Sequence, residues 1–176
     1  MMIIGENLEK LIRQHDMVSK DCFDETCISL SLGKTCIELV PSNEITTLTY
    51  GEPIPKKCIR QFDINEDGLV LSPKSAVLAV SAEEIYMPPG YMGLLQTKGS
   101  LARMLVSLHF SDGQIDSGFR GHVTFEIFNA SDFKICIRKL NKVGNLYVFK
   151  ASTKKHKLYN GKYSHSDVPT LQAPSI

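Results

Sequence analysis

The chain has 176 residues, 43% of them hydrophobic, and its 19 acidic and 20 basic side chains nearly cancel. This length and apolar content predict one globular domain, residues 1–176, with a sizeable core. The balanced charge argues against a nucleic-acid-binding protein, because that class needs a dense cationic surface. The sequence shows no membrane-spanning stretch and no cationic segment leading into an apolar run at its start, so we expect a cytoplasmic protein that binds neither nucleic acid nor membrane.

The cysteines predict reduced thiols rather than disulfides or a metal site. They are odd in number and contain no C-x-x-C pair. Free cysteines are usually buried, so we expect structural thiols in the core. The five are Cys22, Cys27, Cys36, Cys58 and Cys136.

Apolar residues near the start recur every three to four positions, which predicts a short amphipathic helix from Gly5 to Gln14. Beyond it, short β-rich runs are separated by Pro, Gly, Asn or Asp, a pattern typical of a β-sandwich or barrel. The polar stretch from Pro41 to Pro55 is interpreted as a loop. The tail from Lys154 onward is cationic and then polar, and we expect it to be mobile unless a ligand or a neighbouring subunit orders it.

A turn from Thr97 to Arg103 has the chemistry of an anion-binding loop. Gly99 allows close backbone approach, and the Ser100 hydroxyl and backbone N–H groups can donate to phosphate oxygens. Lys98 and Arg103 add positive charge on either side. The same residues are also typical of an ordinary turn without a ligand, so both interpretations stay open.

A second segment places a carboxylate among apolar neighbours. The turn from Ile115 to Gly121 leads into a predicted strand, along which alternation puts Thr124, Glu126 and Phe128 on one face. A carboxylate in such a setting holds its proton more tightly, which suits a general acid or base near neutral pH. The alternative is a solvated Glu on a half-exposed strand.

The histidines do not form the zinc site of familiar hydrolytic deaminases. His109 and His122 are not near a paired-cysteine motif, so both are interpreted as lone core or surface histidines. If this protein deaminates a base, a carboxylate must activate the water directly, and Glu126 has the right chemistry.

The order and spacing of several segments resemble the dCTP deaminases of the dUTPase-related superfamily. Weaker similarity extends to Cys27–Gly33 and to the tail. The segments that carry the resemblance are Leu69-Val-Leu-Ser-Pro, Val77-Leu-Ala-Val, Glu83-Glu-Ile, Met87-Pro-Pro, Lys98-Gly-Ser-Leu-Ala-Arg103 and Ile115 to Asn129.

The resemblance implies a mainly β, dUTPase-like distorted β-barrel or jelly roll with a short N-terminal helix. It also implies a homotrimer with active sites between subunits and a deoxynucleoside triphosphate bound with Mg²⁺. The implied reaction is zinc-independent hydrolytic deamination of dCTP to dUTP and ammonia.

The resemblance also implies residue roles. Glu126 takes a proton from the water that attacks C4 of cytosine, and Arg103 stabilises the reacting base and its water. Asp116 lies near the sugar, and in the dUTPase branch the matching aspartate helps to activate the water that attacks phosphorus.

Further positions match the binding of the nucleotide rather than its chemistry. Lys98 and Ser100 match phosphate-binding positions. Tyr159 and Lys162 match part of a tail, residues 154–176, that closes over the nucleotide.

The chain departs from the family pattern at the site itself. Gly99 stands where a serine usually helps to hold the catalytic water, and Asp112 occupies a normally small position near the cytosine amino group. Ser29 replaces the aspartate of the first motif, and Ser164 to Asp167 replace glutamine and glycine in the tail.

Two other functions remain open. One is dUTP diphosphate hydrolysis through Asp116, although Gly118-Phe119 resembles the deaminase branch more than the usual dUTPase pattern. The other is a catalytically impaired, trimeric nucleotide-binding or regulatory relative, because the departures at the site are what loss of catalysis would produce.

Overall fold

A computed structural model describes residues 1–110 and 112–172 of the chain, and β-strands dominate it. Its two α-helices are α1 (Gly5–His15) and α2 (Gly99–Ala102), and short 3₁₀ turns cover Lys20–Cys22 and Lys56–Cys58. The strands are β1 (Met2–Ile3), β2 (Phe23–Asp24), β3 (Cys27–Leu39), β4 (Ile59–Asp63), β5 (Leu69–Leu71), β6 (Ala76–Tyr86), β7 (Tyr91–Thr97), β8 (Val106–Ser107), β9 (Gln114–Ile115), β10 (Arg120–Asn129), β11 (Ile135–Ile137) and β12 (Lys142–Lys150).

Most strands belong to one curled antiparallel sheet with the order β8-β10-β6-β3-β12-β7-β9. Strand β1 pairs with β12, and strands β2 and β4 both pair with β3. Strand β5 pairs with β11 in a separate two-stranded ribbon. The long strand β3 pairs through residues 28–31 with β12 and through its later residues with β6 and β4. It thereby joins the two halves of the sheet, and the predicted mainly β fold with a short N-terminal helix is confirmed.

The core lies on the concave side of this curled sheet, where alternate residues of each strand are buried. Along β10, Val123, Phe125 and Ile127 are buried while their neighbours are only half-buried. Burying one such side chain stabilises the fold by about 1.5–3 kcal/mol. Because these three side chains point into the core, the side chains that alternate with them project from the other face of β10.

The N-terminal helix is confirmed over Gly5–His15, one residue longer than expected. Its buried residues are Leu8, Leu11 and Ile12. The helix ends where Asp16 adopts a left-handed conformation and its N–H donates to the Ile12 carbonyl. The loop predicted from Pro41 to Pro55 is also confirmed, since these residues form only turns and bends.

The cysteine prediction is correct for four residues and wrong for one. Cys22, Cys27, Cys36 and Cys58 are buried free thiols, whereas Cys136 is exposed. Cys136 lies between the buried residues Ile135 and Ile137 of β11, so alternation turns its side chain outward. Within the described ranges, no helix is both long and apolar enough to span a bilayer.

Candidate active site

The half-buried face of β10 forms the wall of a cavity of about 650 Å³. His122, Thr124 and Glu126 all line it, because residues two apart on a strand project to the same side. The alternation predicted for Thr124 and Glu126 is therefore observed. It also places His122 on the same wall, which the sequence analysis did not anticipate.

Glu126 is held in place by hydrogen bonds to the segment that follows β8. Its Oε2 accepts a bond from the Phe110 N–H at 2.9 Å, and its own backbone N–H donates to the Leu108 carbonyl at 2.9 Å. The ring of Phe110 packs against Phe128, with centroids 5.2 Å apart. The carboxylate is thus oriented by a main-chain donor and is not a freely solvated side chain.

The cavity combines carboxylates with apolar walls. Asp112 and Asp116 line it together with Glu126, so three acidic side chains from residues 112–126 line one cavity. Apolar side chains of β6, β7, β9 and the turn before β10 also line it, namely Leu78, Leu95, Ile115 and Phe119. Such a mixture suits a ligand with a flat apolar ring and a few polar groups.

Asp116 lies between this cavity and a second one of about 560 Å³. Its Oδ1 accepts a hydrogen bond from the Gln114 amide at 2.5 Å, and both side chains line both cavities. Residues 156–161 of the tail line the second cavity. A ligand larger than a nucleoside could therefore extend past Asp116 from one cavity to the other.

Tyr159 of the tail lines both cavities. Its N–H donates to the Ser117 carbonyl at 2.8 Å, and its ring lies 6.3 Å from that of Phe119. Burial raises the pKa of the Tyr159 phenol, and the carboxylates of Asp116 and Asp112 raise it further. The phenol is therefore a neutral O–H group, able to donate a hydrogen bond at physiological pH.

Farther along, the tail follows the start of β10. The His165 N–H donates to the Arg120 carbonyl at 2.7 Å, and the His122 N–H donates to the Ser166 carbonyl at 3.4 Å. The hydroxyls of Thr124 and Thr170 lie 3.2 Å apart. The tail described to residue 172 thus covers the Glu126 cavity in its own chain, and the mobile behaviour expected without a ligand stays a prediction.

Two glycines make room for this tail, Gly118 in the turn before β10 and Gly121 near the start of β10. Gly118 and Gly121 both have positive φ, +94° and +142°. A Cβ on Gly118 would lie 2.9 Å from the Leu158 Cβ, and one on Gly121 would lie 2.9 Å from the His165 nitrogen. Both positions therefore need glycine for backbone conformation and for close approach of the tail.

The predicted phosphate-binding segment lies elsewhere. Gly99 and Ser100 form the first turn of α2, and the Arg103 guanidinium lies over Gly99, 3.2 Å from where a Cβ would stand. Gly99, Ser100 and Arg103 are exposed, Lys98 is half-buried, and none of the four lines either cavity. A single copy of the chain therefore does not bring Arg103 into the cavity that holds Glu126.

The remaining predicted positions lie at the edge of the site or outside it. The Lys162 ammonium lies 5.5 Å from the centroid of the Tyr163 ring and does not line a cavity. Ser29 is 1% exposed on β3, opposite Asn145 of β12, and the Ser29 hydroxyl has no hydrogen-bond partner among the described residues. The substitution at Ser29 therefore affects the interior of the sheet, away from the Glu126 cavity.

The sequence analysis missed several cavity residues. His122 had been interpreted as a lone histidine, although the two-residue repeat with Glu126 was a usable signal. Gln114, Tyr163, Thr170 and Gln172 carry no such signal, because only folding of the tail and of β9 brings them to the cavity. Within residues 1–110 and 112–172, no three His, Cys, Asp or Glu side chains are grouped so that they could hold a metal ion.

Comparison with known proteins gives consistent family assignments. Residues 5–151 match the dCTP deaminase-like domain family. A dUMP-forming dCTP deaminase of Corynebacterium kroppenstedtii is 39% identical over 87 residues, or 49% of this chain and 46% of that enzyme. A second dUMP-forming dCTP deaminase, from Methanoculleus marisnigri, is 26% identical over 98% of this chain and 92% of that enzyme.

The fold also resembles a solved structure. The crystal structure of 2'-deoxycytidine 5'-triphosphate deaminase from Agrobacterium tumefaciens matches 84% of this chain with a TM-score of 0.62 and 15% sequence identity. The match covers 48% of that protein, so the chain spans about half the length of the Agrobacterium and Corynebacterium proteins that it matches. At 15% sequence identity, the similarity between the two structures shows a shared fold only.

Proposed function

The chain belongs to the dCTP deaminase-like family, and from this premise we propose that it catalyses the hydrolytic deamination of dCTP. The observation that supports the proposal best is the anchored carboxylate of Glu126 on the wall of a nucleoside-sized cavity. The apolar side chains Leu78 and Leu95 line the same cavity, so a cytosine ring fits beside the carboxylate.

The proposed reaction needs one general base. Because Oε2 of Glu126 accepts the Phe110 N–H, we assign Oε1 to the catalytic water. Glu126 takes a proton from this water as its oxygen bonds to C4 of cytosine, and it returns the proton to the amino nitrogen. The C4–N bond then breaks and ammonia leaves, and the hydrogen that remains on the C4 oxygen moves to N3, which yields a uracil nucleotide. No step of this scheme uses zinc.

Asp112 is proposed to recognise the cytosine amino group. Its carboxylate lines the cavity with Glu126, and a carboxylate accepts hydrogen bonds but does not donate them. The amino group of cytosine is a donor, whereas O4 of uracil is an acceptor. Asp112 would therefore favour the substrate over the product.

The rest of the site is proposed to come from a second copy of the chain in a homotrimer. Lys98, Ser100 and Arg103 lie outside the Glu126 cavity of their own chain, and a neighbouring copy can bring them to it. Lys98 and Ser100 would bind the phosphates, which arrive with Mg²⁺ as part of the substrate. Arg103 would stabilise the base and its water, and Gly99 leaves space beside the guanidinium.

The tail is proposed to complete the nucleotide site. Tyr159 lies against Phe119 and between the two cavities, where its phenol can reach a sugar or phosphate oxygen. Lys162 is three residues farther along the same segment, and its ammonium would contribute charge toward the phosphates.

A second reaction, the hydrolysis of the dUTP product to dUMP, is a further candidate. Two observations favour it. The relatives from Corynebacterium and Methanoculleus are dUMP-forming, and Asp116 lies on the wall shared by the two cavities, where a phosphate chain could pass. Asp116 would then activate a water for attack on phosphorus.

The proposed function is tested by incubating the protein with Mg²⁺ and dCTP, and separately with dUTP, and separating the nucleotides by ion exchange. We expect dUTP or dUMP and ammonia from dCTP, and a loss of at least about 10²-fold in kcat with dCTP binding kept for Glu126→Gln. Glu84→Gln is the matched control, because Glu84 is an exposed carboxylate that pairs with Arg120. An active Glu126→Gln protein would contradict the mechanism, and dCTP binding without product in the wild type would indicate the impaired nucleotide-binding relative.

A further inference from the structure

The segment that orients Glu126, residues 108–110, lies beyond the end of a strand. Strand β8 ends at Ser107. Past that point the Leu108 carbonyl accepts the Glu126 N–H, and the Phe110 N–H donates to Oε2 of the carboxylate, both at 2.9 Å. The orientation of the carboxylate therefore depends on how this short segment is itself held.

A side chain of another strand holds the segment. Thr97 is the last residue of β7, and its Oγ1 accepts the Leu108 N–H at 2.8 Å. Leu108 is 0% exposed, so its N–H needs a hydrogen-bond partner within the protein. The same residue uses its carbonyl for the Glu126 N–H. Leu108 thus joins the Thr97 hydroxyl to the strand that carries Glu126.

The backbone of Thr97 is fixed without the help of its hydroxyl. Thr97 pairs with Gly144 of β12, and the next N–H in the chain, that of Lys98, donates to the Val143 carbonyl at 2.7 Å. Removing the hydroxyl would therefore leave the end of β7 in place. The change would fall on residues 108–110, which would lose one of their hydrogen bonds.

We propose that Thr97 is a positioning residue for the deamination, which acts through residues 108–110 on the Glu126 carboxylate. This inference rests on the proposed function. Because the Phe110 N–H holds Oε2, a shift of the segment would turn Oε1 away from C4 of cytosine. Misplacing a reacting group by about 1 Å can lower a rate about 100-fold. Thr97 lines neither cavity, so it acts without touching the base.

Three substitutions at this position separate the hydroxyl from the rest of the side chain. Thr97→Val keeps the shape of the side chain but offers no acceptor to the Leu108 N–H, and Thr97→Ala lacks the acceptor as well. Thr97→Ser keeps the hydroxyl. Thr35→Val is the matched control, because the Thr35 hydroxyl donates to Asp63 at 2.9 Å and Thr35 lines neither cavity.

The first test measures kcat and KM for dCTP deamination in the presence of Mg²⁺. We expect Thr97→Val and Thr97→Ala to lower kcat at least about tenfold and to change KM by less than about twofold, because the base is misplaced while the cavity is kept. Thr97→Ser should recover most of the kcat, and Thr35→Val should keep it. Thermal melting checks that each variant is folded.

A double-mutant cycle tests whether Thr97 acts through the carboxylate. Glu126→Asp keeps a carboxylate, but its side chain is one methylene shorter and no longer places an oxygen at the Phe110 N–H. In this background, Thr97→Val should lower kcat by less than about twofold, because the contact that Thr97 supports is already lost. Single-turnover measurements at high protein concentration give the rates of these slow variants.

Other results would overturn the proposal. An equal loss of kcat from Thr97→Val in both backgrounds would show that the hydroxyl acts elsewhere than on the Glu126 carboxylate. A higher KM with unchanged kcat would assign the hydroxyl to nucleotide binding. Unchanged kcat and KM in Thr97→Val would overturn this positioning role alone, whereas a wild-type protein that does not deaminate dCTP would overturn the proposed function as well.

Discussion

Glu126 reaches the cavity through the two-residue repeat of β10, and its orientation comes from a different segment. The repeat places Glu126 opposite the buried row of Val123, Phe125 and Ile127. The Phe110 N–H then fixes one carboxylate oxygen. Position and orientation therefore have separate causes, and a substitution at Phe110 that keeps its main-chain N–H would leave the hydrogen bond intact.

Gly121 should be required for docking of the tail. Alanine there would combine a φ of +142° with a Cβ 2.9 Å from the His165 nitrogen, so Gly121→Ala should cost about 1–3 kcal/mol of unfolding free energy and release the tail. Trypsin should then cut at Lys162 about tenfold faster. Gly5→Ala is the control, since Gly5 also has positive φ, +57°, and has no atom within 4 Å of its Cβ position. Equal cleavage rates in the two variants would contradict this role.

Two buried thiols should make the fold less stable at high pH. Burial, reinforced by nearby carboxylates, raises the pKa of Cys36 to about 12 and that of Cys22 to about 11. In the unfolded chain a thiol titrates near about 8.5, so the folded state holds these protons more tightly. Their contribution to stability is complete below about pH 8.5 and is lost as pH rises toward these folded pKa values.

Urea unfolding at pH 8, 9, 10 and 11 measures this loss. The unfolding free energy of the wild type should fall with pH over this range, and it should fall less steeply for Cys36→Ala. Cys136→Ala is the matched control, because that thiol is exposed. If the unfolding free energies of Cys36→Ala, Cys136→Ala and the wild type fall equally with pH, the buried Cys36 thiol does not cause the loss of stability.

Among the elements, β6 has a bulge opposite Val123, where two residues of β10 correspond to four of β6, and this bulge depends on the Ser81 hydroxyl. Ser81→Ala would remove the partners of the Val123 N–H and the Glu83 carbonyl inside the sheet. We expect a loss of about 1–3 kcal/mol in unfolding free energy, because the variant would leave both groups without a hydrogen-bond partner. Ser75→Ala, which removes a hydroxyl bonded to the Ser72 carbonyl at the surface, should change stability by less than about 0.5 kcal/mol. Equal stability of the two variants would show that the bulge does not need the Ser81 hydroxyl.

The elements differ in how well the sequence predicted them. The period of α1 and the alternation of β10 lie within consecutive residues. The helix was predicted to within one residue, and the strand was predicted from Val123 to Asn129, whereas it begins three residues earlier, at Arg120. The bulge of β6 was not predicted, because it depends on pairing between strands about 40 residues apart in the sequence. Likewise α2 is only four residues long, too short for a helical period to be visible.

For the whole molecule, the separation of Arg103 from the Glu126 cavity predicts a shared site. A mixture of Glu126→Gln and Arg103→Ala chains, each inactive alone, should regain activity when the two are co-refolded. If one copy supplies Glu126 and another supplies Arg103, random assembly at equal amounts restores about a quarter of the sites. Wild-type chains co-refolded with the double variant Glu126→Gln/Arg103→Ala provide the control. No recovery in the mixture would place both residues in one subunit.

The sequence by itself determined the mainly β class, the N-terminal helix, the row of β10 side chains that includes Glu126, and the resemblance to the dCTP deaminase family. These properties follow from the pattern of adjacent residues and from the spacing of motifs. Only the tertiary structure decided that His122 lines the Glu126 cavity and that Arg103 of the same chain does not. Contacts between distant residues depend on how the sheet curls and where the tail docks, and local periodicity does not encode either.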